Sequence, residues 1–456
     1  MDRSKIHIVF FMGIGGIGMS ALALYFLSKK MTVFGYDKTP STITKELAEK
    51  GAKIVFEDHV SVLDSDFRDV SKELVLVIYT PAIPKESELM KYFTEHQYEL
   101  KKRSQVLGLL TENTNTMAVA GTHGKTTTSC LLAHLLKSSG IGCNAFLGGV
   151  STNYNTNFLI DENSNNSVVE ADEYDRSFLQ LHPNIAIITS TDADHLDIYG
   201  RHESLIESFN VFASQVKPNG HLVVKKGLNI LPIHNVNYNT YSTTEKADYY
   251  AENISINKEN YFFDLVTPLQ KINNLQLGLP GTHNVENAVA AAAVALLSGI
   301  SETALRTALL NFKGVKRRFE YILKSDDITF IDDYAHHPEE LRAIIFSVKQ
   351  MYPQKNITGV FQPHLYSRTK DFLDEFASSL NELDSIILLE IYPARELPMA
   401  GINSTLLLEK ITKPNKKLLS KEELLIEIKN TRPEILLTLG AGDIDQLIQP
   451  LKDILG

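Results

Sequence analysis

Two glycine-rich turns, each set between an apolar run and a helix-forming segment, constrain this chain more than any other feature. The second is the more demanding. Thr116 to Ala120 reads as a buried strand, and Gly121-Thr-His-Gly-Lys-Thr126 follows at once. Gly121 and Gly124 allow a tight backbone turn and bring N–H groups close to a bound anion. A helix is predicted over Thr127–Lys137. A phosphate chain would then lie on its N-terminus, with Lys125 on the outer phosphates and the Thr126 hydroxyl on Mg²⁺. The strict P-loop pattern has another glycine two places before Gly121, where Val119 stands. An ordinary Gly-rich turn is the weaker reading, because strand, glycines, Lys-Thr and helix fall in order. Thr122, His123 and Thr127 complete the expected ATP-binding stretch.

The first turn is Gly13-Ile-Gly-Gly-Ile-Gly18, between a strand at Ile6–Met12 and a helix at Met19–Lys29. Gly13, Gly15 and Gly18 fit G-x-G-x-x-G in its proper strand–helix setting. The next strand, Thr32–Tyr36, ends at Asp37, 19 residues after Gly18 and placed for a ribose hydroxyl. Alone, this segment reads as a nucleotide-diphosphate site, with NAD the default ligand.

The alternation of strand and helix continues to the end of the chain and predicts an α/β protein. Its 456 residues suffice for about three domains. We place a Rossmann-like domain at 1–108, a central P-loop-type ATPase domain with a mainly parallel sheet at 109–314, and a second Rossmann-like domain at 315–456. The first boundary falls in Gln105–Thr116, and the polar run Ser151–Asn166 reads as loop. Tyr249–Val266 alternates like a hairpin. A net charge of −10 argues against a nucleic-acid surface. Two cysteines, Cys130 and Cys143, are too few for a disulfide framework or a Cys-based zinc site. There is no signal-peptide pattern and no long apolar span, so a cytoplasmic protein without stable membrane insertion is expected, monomeric or weakly self-associating.

In open α/β sheets ligands gather at strand C-termini. Three predicted strand ends, Gly121–Thr126, Glu170 and Asp194-His195, would therefore converge. Glu170 can hold Mg²⁺ beside Thr126, since Mg²⁺ takes few carboxylates and keeps several waters. His195 is a candidate for a metal or the transferred phosphate. Asp172, Asp175, Asp192 and Asp194 read first as capping and turn residues. Arg318, just past the second boundary, is placed like an arginine lent by one domain to a phosphate held in another, with Arg317 the weaker candidate. Tyr334, His336, His337, His364 and Arg368 form a polar set without metal-ligand spacing, and Arg368 suits a carboxylate.

Taken in order, Gly13–Ser20, Gly121–Thr126, Glu170-Ala-Asp-Glu173, Asp194-His195, His283-Asn-Val-Glu-Asn287, Arg317-Arg-Phe319, Asp332-Asp-Tyr-Ala-His-His-Pro338 and Gln362-Pro-His364 resemble the Mur ligases over nearly the whole chain. Within them the set is most similar to the branch that joins L-alanine to UDP-N-acetylmuramate in peptidoglycan synthesis. The resemblance implies that the first domain binds the UDP-sugar rather than NAD, through Gly13, Gly15, Gly16, Gly18, Met19, Ser20 and Asp37. It implies ATP and Mg²⁺ at the central domain, with Thr126, Glu170 and His195 as metal-site residues. Asn284, Asn287, Arg318 and Asp333 join Lys125 around ATP. Tyr334, His336, His364 and Arg368 lie near the amino acid. The lactoyl carboxylate would become an acyl phosphate, which the amine of L-alanine attacks. Leu365 stands where the family often has Arg, and no Lys in Asp192–Tyr199 is available for the carbamate that sister enzymes use. The ligase that recycles a preformed tripeptide is the nearest rival. An NAD-dependent oxidoreductase and a non-catalytic nucleotide-binding regulator are more distant ones.

Overall fold

The computed structural model describes residues 6–63, 65–193, 196–257, 259–394 and 396–456. The apolar runs become strands of three sheets. The first is wholly parallel, with order β3-β2-β1-β4-β5, from β1 (Ile8–Met12), β2 (Thr32–Tyr36), β3 (Lys53–Val55), β4 (Val75–Tyr79) and β5 (Glu99–Lys102). The second has ten strands: β6 (Asn115–Ala120), β7 (Asn144–Ser151), β8 (Thr156–Leu159), β9 (Asn166–Glu170), β10 (Ile185–Ile188), β11 (His221–Lys225), β12 (Asn237–Ser242), β13 (Tyr249–Asn257), β14 (Asn260–Val266) and β15 (Lys271–Leu277). Its order is β15-β14-β13-β12-β11-β10-β6-β9-β7-β8. The third holds β16 (Glu320–Lys324), β17 (Thr329–Asp333), β18 (Ile357–Phe361), β19 (Ser385–Leu388), β20 (Lys416–Leu418) and β21 (Ile435–Leu439), in the order β16-β17-β21-β18-β19-β20. Among the described residues no helix is long and apolar enough to cross a membrane.

Contacts divide the chain into two units. One comprises Met1–Glu252, Leu265–Asn273 and Asn287–Leu309; the other Asn253–Asp264, Asn274–Glu286 and Leu310–Gly456.

In the first unit both glycine turns sit at topological switch points. β1 lies between β2 and β4, and β6 between β10 and β9, all parallel. A ligand crevice opens at the C-terminal ends of such central strands. One apolar core runs through Val9, Phe11, Leu22 and Phe26 of the N-terminal segment and on to Phe146, Phe158, Phe178 and Phe209. The helix Ile17–Ser28 is apolar on most of its circumference because it is covered on two sides. Its own sheet takes one side, and Phe146 and Phe158 meet Tyr25 on the other, with ring centroids 5.8 and 6.1 Å away. Such burial is the strongest stabilising term available to a segment of this kind.

One expectation changes here. Ser151–Asn166 is not all loop, since Thr156–Leu159 forms β8 antiparallel to β7, with Phe146 opposite Phe158. Its Asn157 is buried because the side chain donates to Ile17 O and Ser20 Oγ, at 2.6 and 3.0 Å. Near the expected first boundary, Arg103–Thr111 is a helix, and Val106 and Leu107 belong to the same core. The predicted hairpin region contains the two strands β13 and β14.

In the second unit β17 runs antiparallel to β16 and parallel to β21, and β18 also flanks β21. Asp333 and Phe361 both stand level with Leu439, so three strand ends meet at one edge.

Candidate active site

The phosphate-loop candidate is built from β6 outward. Gly121 has φ +138° and Gly124 φ +81°, and a Cβ at either would lie within 2.0 Å of Thr189 Oγ1 or 2.7 Å of Asn287 Oδ1. Only glycine fits both the dihedrals and the space. The helix then runs Lys125–Ser138. The end of β10 holds the loop from beneath. His123 N donates to Ser190 Oγ at 2.7 Å, and the Thr122 hydroxyl meets Ser190 Oγ at 2.9 Å and accepts from Asp192 N at 3.0 Å. Thr122 and His123 therefore shape the loop. Thr126 and Thr127 are buried at the helix start. Thr128 Oγ1 donates to Asn287 Oδ1 at 3.2 Å, which sets Asn287 beside the first turns of this helix.

Lys125 is held by a residue given no role in the sequence reading. Its Nζ lies 2.9 and 2.7 Å from the two oxygens of Glu173, whose side chain is fully buried, and 2.6 Å from Gly121 O. Burial works against the ammonium, but Glu173, Asp172 and Glu170 outweigh it and raise the Lys125 pKa. The signal for Glu173 was its place in Glu170-Ala-Asp-Glu173, three residues past the end of β9. Glu170 itself closes β9 and accepts from Gly148 N at 3.2 Å. Asp194 and His195 lie outside the described residues. Among the described residues no three His, Cys, Asp or Glu side chains converge as a metal cage. The hard oxygens of Thr126 and Glu170, at neighbouring strand ends, are a donor set that fits Mg²⁺, an ion that needs few protein ligands.

Around the first turn three expected ligand residues have partners within the fold. The Asp37 carboxylate accepts from Gly15 N at 2.7 Å and from Thr39 N at 3.2 Å. Through these two bonds it braces the turn. Met19 is in the core, and the Ser20 hydroxyl donates to Ile17 O at 2.8 Å and accepts from Asn157. Helix periodicity points both inward. Gly13 and Gly16 pair within the turn. Gly18 opens on a cavity of about 80 Å³ whose walls include Leu22, Arg103, Leu147, Gly148 and Glu170. The first glycine turn and the β9 carboxylate thus face one space.

The second unit gathers the other expected set. The Arg318 guanidinium lies 5.1 Å from the Tyr334 ring centroid, and its Nη1 is 3.7 Å from Glu340. Arg317 also approaches that ring, but its Nε is 3.0 Å from buried Asp332 Oδ2 and its Nη2 donates to Gly440 O at 2.7 Å. Arg317 is thereby tied into the frame. Asp333 accepts from Phe319 N and Ala335 N, at 2.7 and 2.8 Å. Burial pushes its carboxyl up to about 6, with Arg318 and both amides pulling the other way. His336 sits 5.2 Å from Tyr334 and 6.0 Å from His364 between ring centroids, and Arg368 Nη1 is 3.4 Å from His364 Nδ1. Burial lowers His336 to about 4, Arg368 adding to this and Glu340 opposing it. The ring is therefore neutral near pH 7. Asn284 donates to Pro280 O at 2.5 Å, closing the turn before the helix Thr282–Leu297. Glu340 and His283 carried no expected role. Glu340 accepts from His336 N and His337 N, at 3.0 and 3.2 Å. Burial and then Arg318 lower His283 to about 4. Leu365 has φ +73°, and its N donates to Tyr392 O at 3.0 Å.

Comparison with known proteins agrees over the full chain. The model for the Mur ligase family catalytic domain matches residues 8–114, that for the Mur ligase middle domain 119–295, and that for the Mur ligase glutamate ligase domain 317–442. The chain is 50% identical to the UDP-N-acetylmuramate–L-alanine ligase of Parabacteroides distasonis, covering 100% of this chain and 98% of that one. It is 48% identical to the ligase of the same name from Phocaeicola vulgatus, covering 100% and 99%. Its fold is similar to the crystal structure of the UDP-N-acetylmuramate–alanine ligase of Thermotoga maritima, with a TM-score of 0.82, 27% identity and 98% of each chain covered. From the ordered strand ends and this full-length agreement, the chain belongs to the Mur ligase family.

Proposed function

We propose that this protein joins L-alanine to the lactoyl carboxylate of UDP-N-acetylmuramate, driven by ATP. The observation that carries the reading is the shared space between Gly18 and Glu170. A UDP-sugar seated on the first glycine turn would present its acid end toward the loop that holds ATP. Relatives about half identical, with that activity in their name, support it along the whole chain.

The chemistry follows from the groups present. A carboxylate is a poor acyl donor until one of its oxygens becomes a good leaving group. Its oxygen attacks the γ-phosphorus of ATP, the bond to the β-phosphate oxygen breaks, and ADP leaves. The amine of L-alanine then attacks the acyl phosphate, and phosphate departs from the tetrahedral intermediate as the amide forms. The loop amides after Gly121 and the Lys125 ammonium bind and orient the phosphates. Mg²⁺, when bound, would be held by Thr126 and Glu170, with His195 assigned from the family motif, and would supply charge neutralisation to the phosphates. We assign Asn284, Asn287 and Asp333 to the ATP side and Arg318 to the charge of the transferring phosphate. We assign Tyr334, His336, His364 and Arg368 to the amino acid. A neutral His336 suits a pocket that accepts an amine, since an imidazolium would repel the ammonium form.

Phosphate release tests the reading. ATP, Mg²⁺ and UDP-N-acetylmuramate are mixed with L-alanine, other single amino acids or a tripeptide. Release requiring both the sugar and L-alanine is expected. Release only with tripeptide would reassign the chain to the recycling activity, and no release with any acceptor would refute a ligase.

A further inference from the structure

The cavity beneath Gly18 contains a charged side chain that no expectation covered. Arg103 opens the helix Arg103–Thr111, and its guanidinium lies against Gly18 so closely that a Cβ there would be 2.0 Å from Nη1. Its side chain is 23% exposed, and Nη2 donates to Asp172 Oδ2 at 3.1 Å. Asp172 is fixed in turn, because its other oxygen accepts from Tyr174 N at 3.1 Å. Next along the chain Lys102 pairs with Asp175 at 3.0 Å. Asp175 and Arg176 have φ of +51° and +54°, two successive non-glycine residues in the left-handed region. Such a pair costs of the order of 1–3 kcal/mol per residue and persists only where its surroundings impose it. The segment after Glu170 is thus bent so that its carboxylates clasp Lys102 and Arg103.

This arrangement places one guanidinium in a small cavity with Glu170 and Asp172, walled otherwise by Leu107, Leu147 and other mostly apolar residues. Among the described residues lining it, Arg103 is the one cation. A volume of about 80 Å³ suits a short acid, not a nucleotide or a sugar ring. An acid entering beside Glu170 needs a compensating positive charge, and a guanidinium offers a planar fork that matches a carboxylate. The Asp172 bond aims that fork and leaves other N–H groups of the guanidinium for a ligand.

We infer that Arg103 binds the lactoyl carboxylate of the UDP-sugar and so distinguishes the acid-bearing sugar from its acid-free counterpart. The inference rests on the UDP-N-acetylmuramate reading given above. The test is calorimetric binding of UDP-N-acetylmuramate and of UDP-N-acetylglucosamine, which keeps the diphosphate and lacks the lactoyl acid. The proteins are the full-length wild type, Arg103→Ala and Arg103→Lys, each checked for its melting curve. Arg103→Ala should weaken UDP-N-acetylmuramate about tenfold or more, as expected for a lost charge-assisted pair, and leave UDP-N-acetylglucosamine within about twofold. Arg103→Lys should recover part of the loss, which separates recognition from folding. Equal weakening of both sugars would overturn the assignment, because the diphosphate would then be the group contacted. No change in either would overturn it too. A wild type that binds neither UDP-sugar would instead remove the substrate reading on which the inference stands.

Discussion

Replacing Glu173 with Gln tests whether the buried carboxylate holds Lys125 back from the nucleotide. In the structure both carboxylate oxygens reach Lys125 Nζ, at 2.9 and 2.7 Å, and Gly121 O takes a further bond at 2.6 Å. Breaking a buried ion pair by removing one partner costs about 3–5 kcal/mol. Gln keeps the shape and one acceptor, and Glu170 and Asp172 still attract the ammonium. About 2–3 kcal/mol is then the expected loss in the nucleotide-free protein. A triphosphate on the loop supplies the missing negative charge, so the nucleotide-bound protein loses less. By linkage the variant must bind nucleotide more tightly, by about tenfold for each 1.4 kcal/mol returned. Thermal scans with and without Mg²⁺ and a non-hydrolysable ATP analogue read the first effect, and calorimetric titration the second. The expected pattern is a lower melting temperature without ligand, a larger ligand-induced rise, and a smaller Kd. Glu173→Asp, which keeps the charge, should fall between. A larger Kd in Glu173→Gln would refute the reasoning, because Glu173 would then be aiming Lys125 at the phosphates rather than competing for it.

Lys125→Ala should abolish phosphate release while UDP-N-acetylmuramate binding stays within about twofold, measured by titration; loss of both would contradict separate seats for the two nucleotides. Arg317→Ala should destabilise the protein by about 3–5 kcal/mol, read by denaturation, since it strands the fully buried Asp332 carboxylate. Arg318→Ala should change stability by less than about 1 kcal/mol yet slow turnover by about 10³-fold, so the reverse pattern would exchange the roles of these neighbours. For His336 the folded pKa of about 4 lies below the ordinary 6.5, so the unfolded chain takes up a proton that the native protein refuses between those values. Stability from this group is complete above pH about 6.5 and is lost as pH falls toward 4, by about 3 kcal/mol at most; His336→Asn should flatten the acid limb of the melting curve against pH. Asp333 has the opposite sign. Its pKa of about 6 against 3.8 means that ionisation erodes stability as pH rises through that window, so Asp333→Asn should gain most over wild type near pH 7.

What could be read from the chain and what could not divides along sequence separation. The glycine turns, the strand before each and the helix after each are local patterns, and they stand at the switch points where pattern and topology both put them. Glu170 was legible because it closes an apolar run, whereas Asp333 was reached only through the family resemblance. β8 was hidden because it lies in a run rich in Asn and Ser, and its buried Asn157 is satisfied by Ile17 and Ser20, about 140 residues away in the chain. The partners that set the candidate site's charges are equally remote. Lys125 and Glu173 are 48 residues apart, and Arg103 and Asp172 are 69 apart. No spacing rule joins such pairs. Glu173 and Asp172 could be seen as part of a motif, but not which cation each would meet.

The two adjacent arginines show why the remaining ambiguity is physical rather than statistical. Arg317 and Arg318 are chemically the same side chain one bond apart, and any motif reading treats them together. The backbone separates them. Arg317 has φ +60° and Phe319 φ +49°, so the chain turns sharply on either side of Arg318. That turn sends Arg317 to the buried Asp332 and to Gly440 O, while Arg318 is left 30% exposed beside Tyr334 and Glu340. A guanidinium locked to a fully buried carboxylate cannot reach a phosphate without abandoning that charge in the core. One that is 30% exposed, with Glu340 at 3.7 Å, gives up less on turning to a ligand, because solvent screens its charge. The choice of Arg318 over Arg317 as the functional arginine therefore rests on the cost of releasing each, a quantity set by Asp332 and its neighbour Thr438, which donates to it at 2.7 Å from far along the chain.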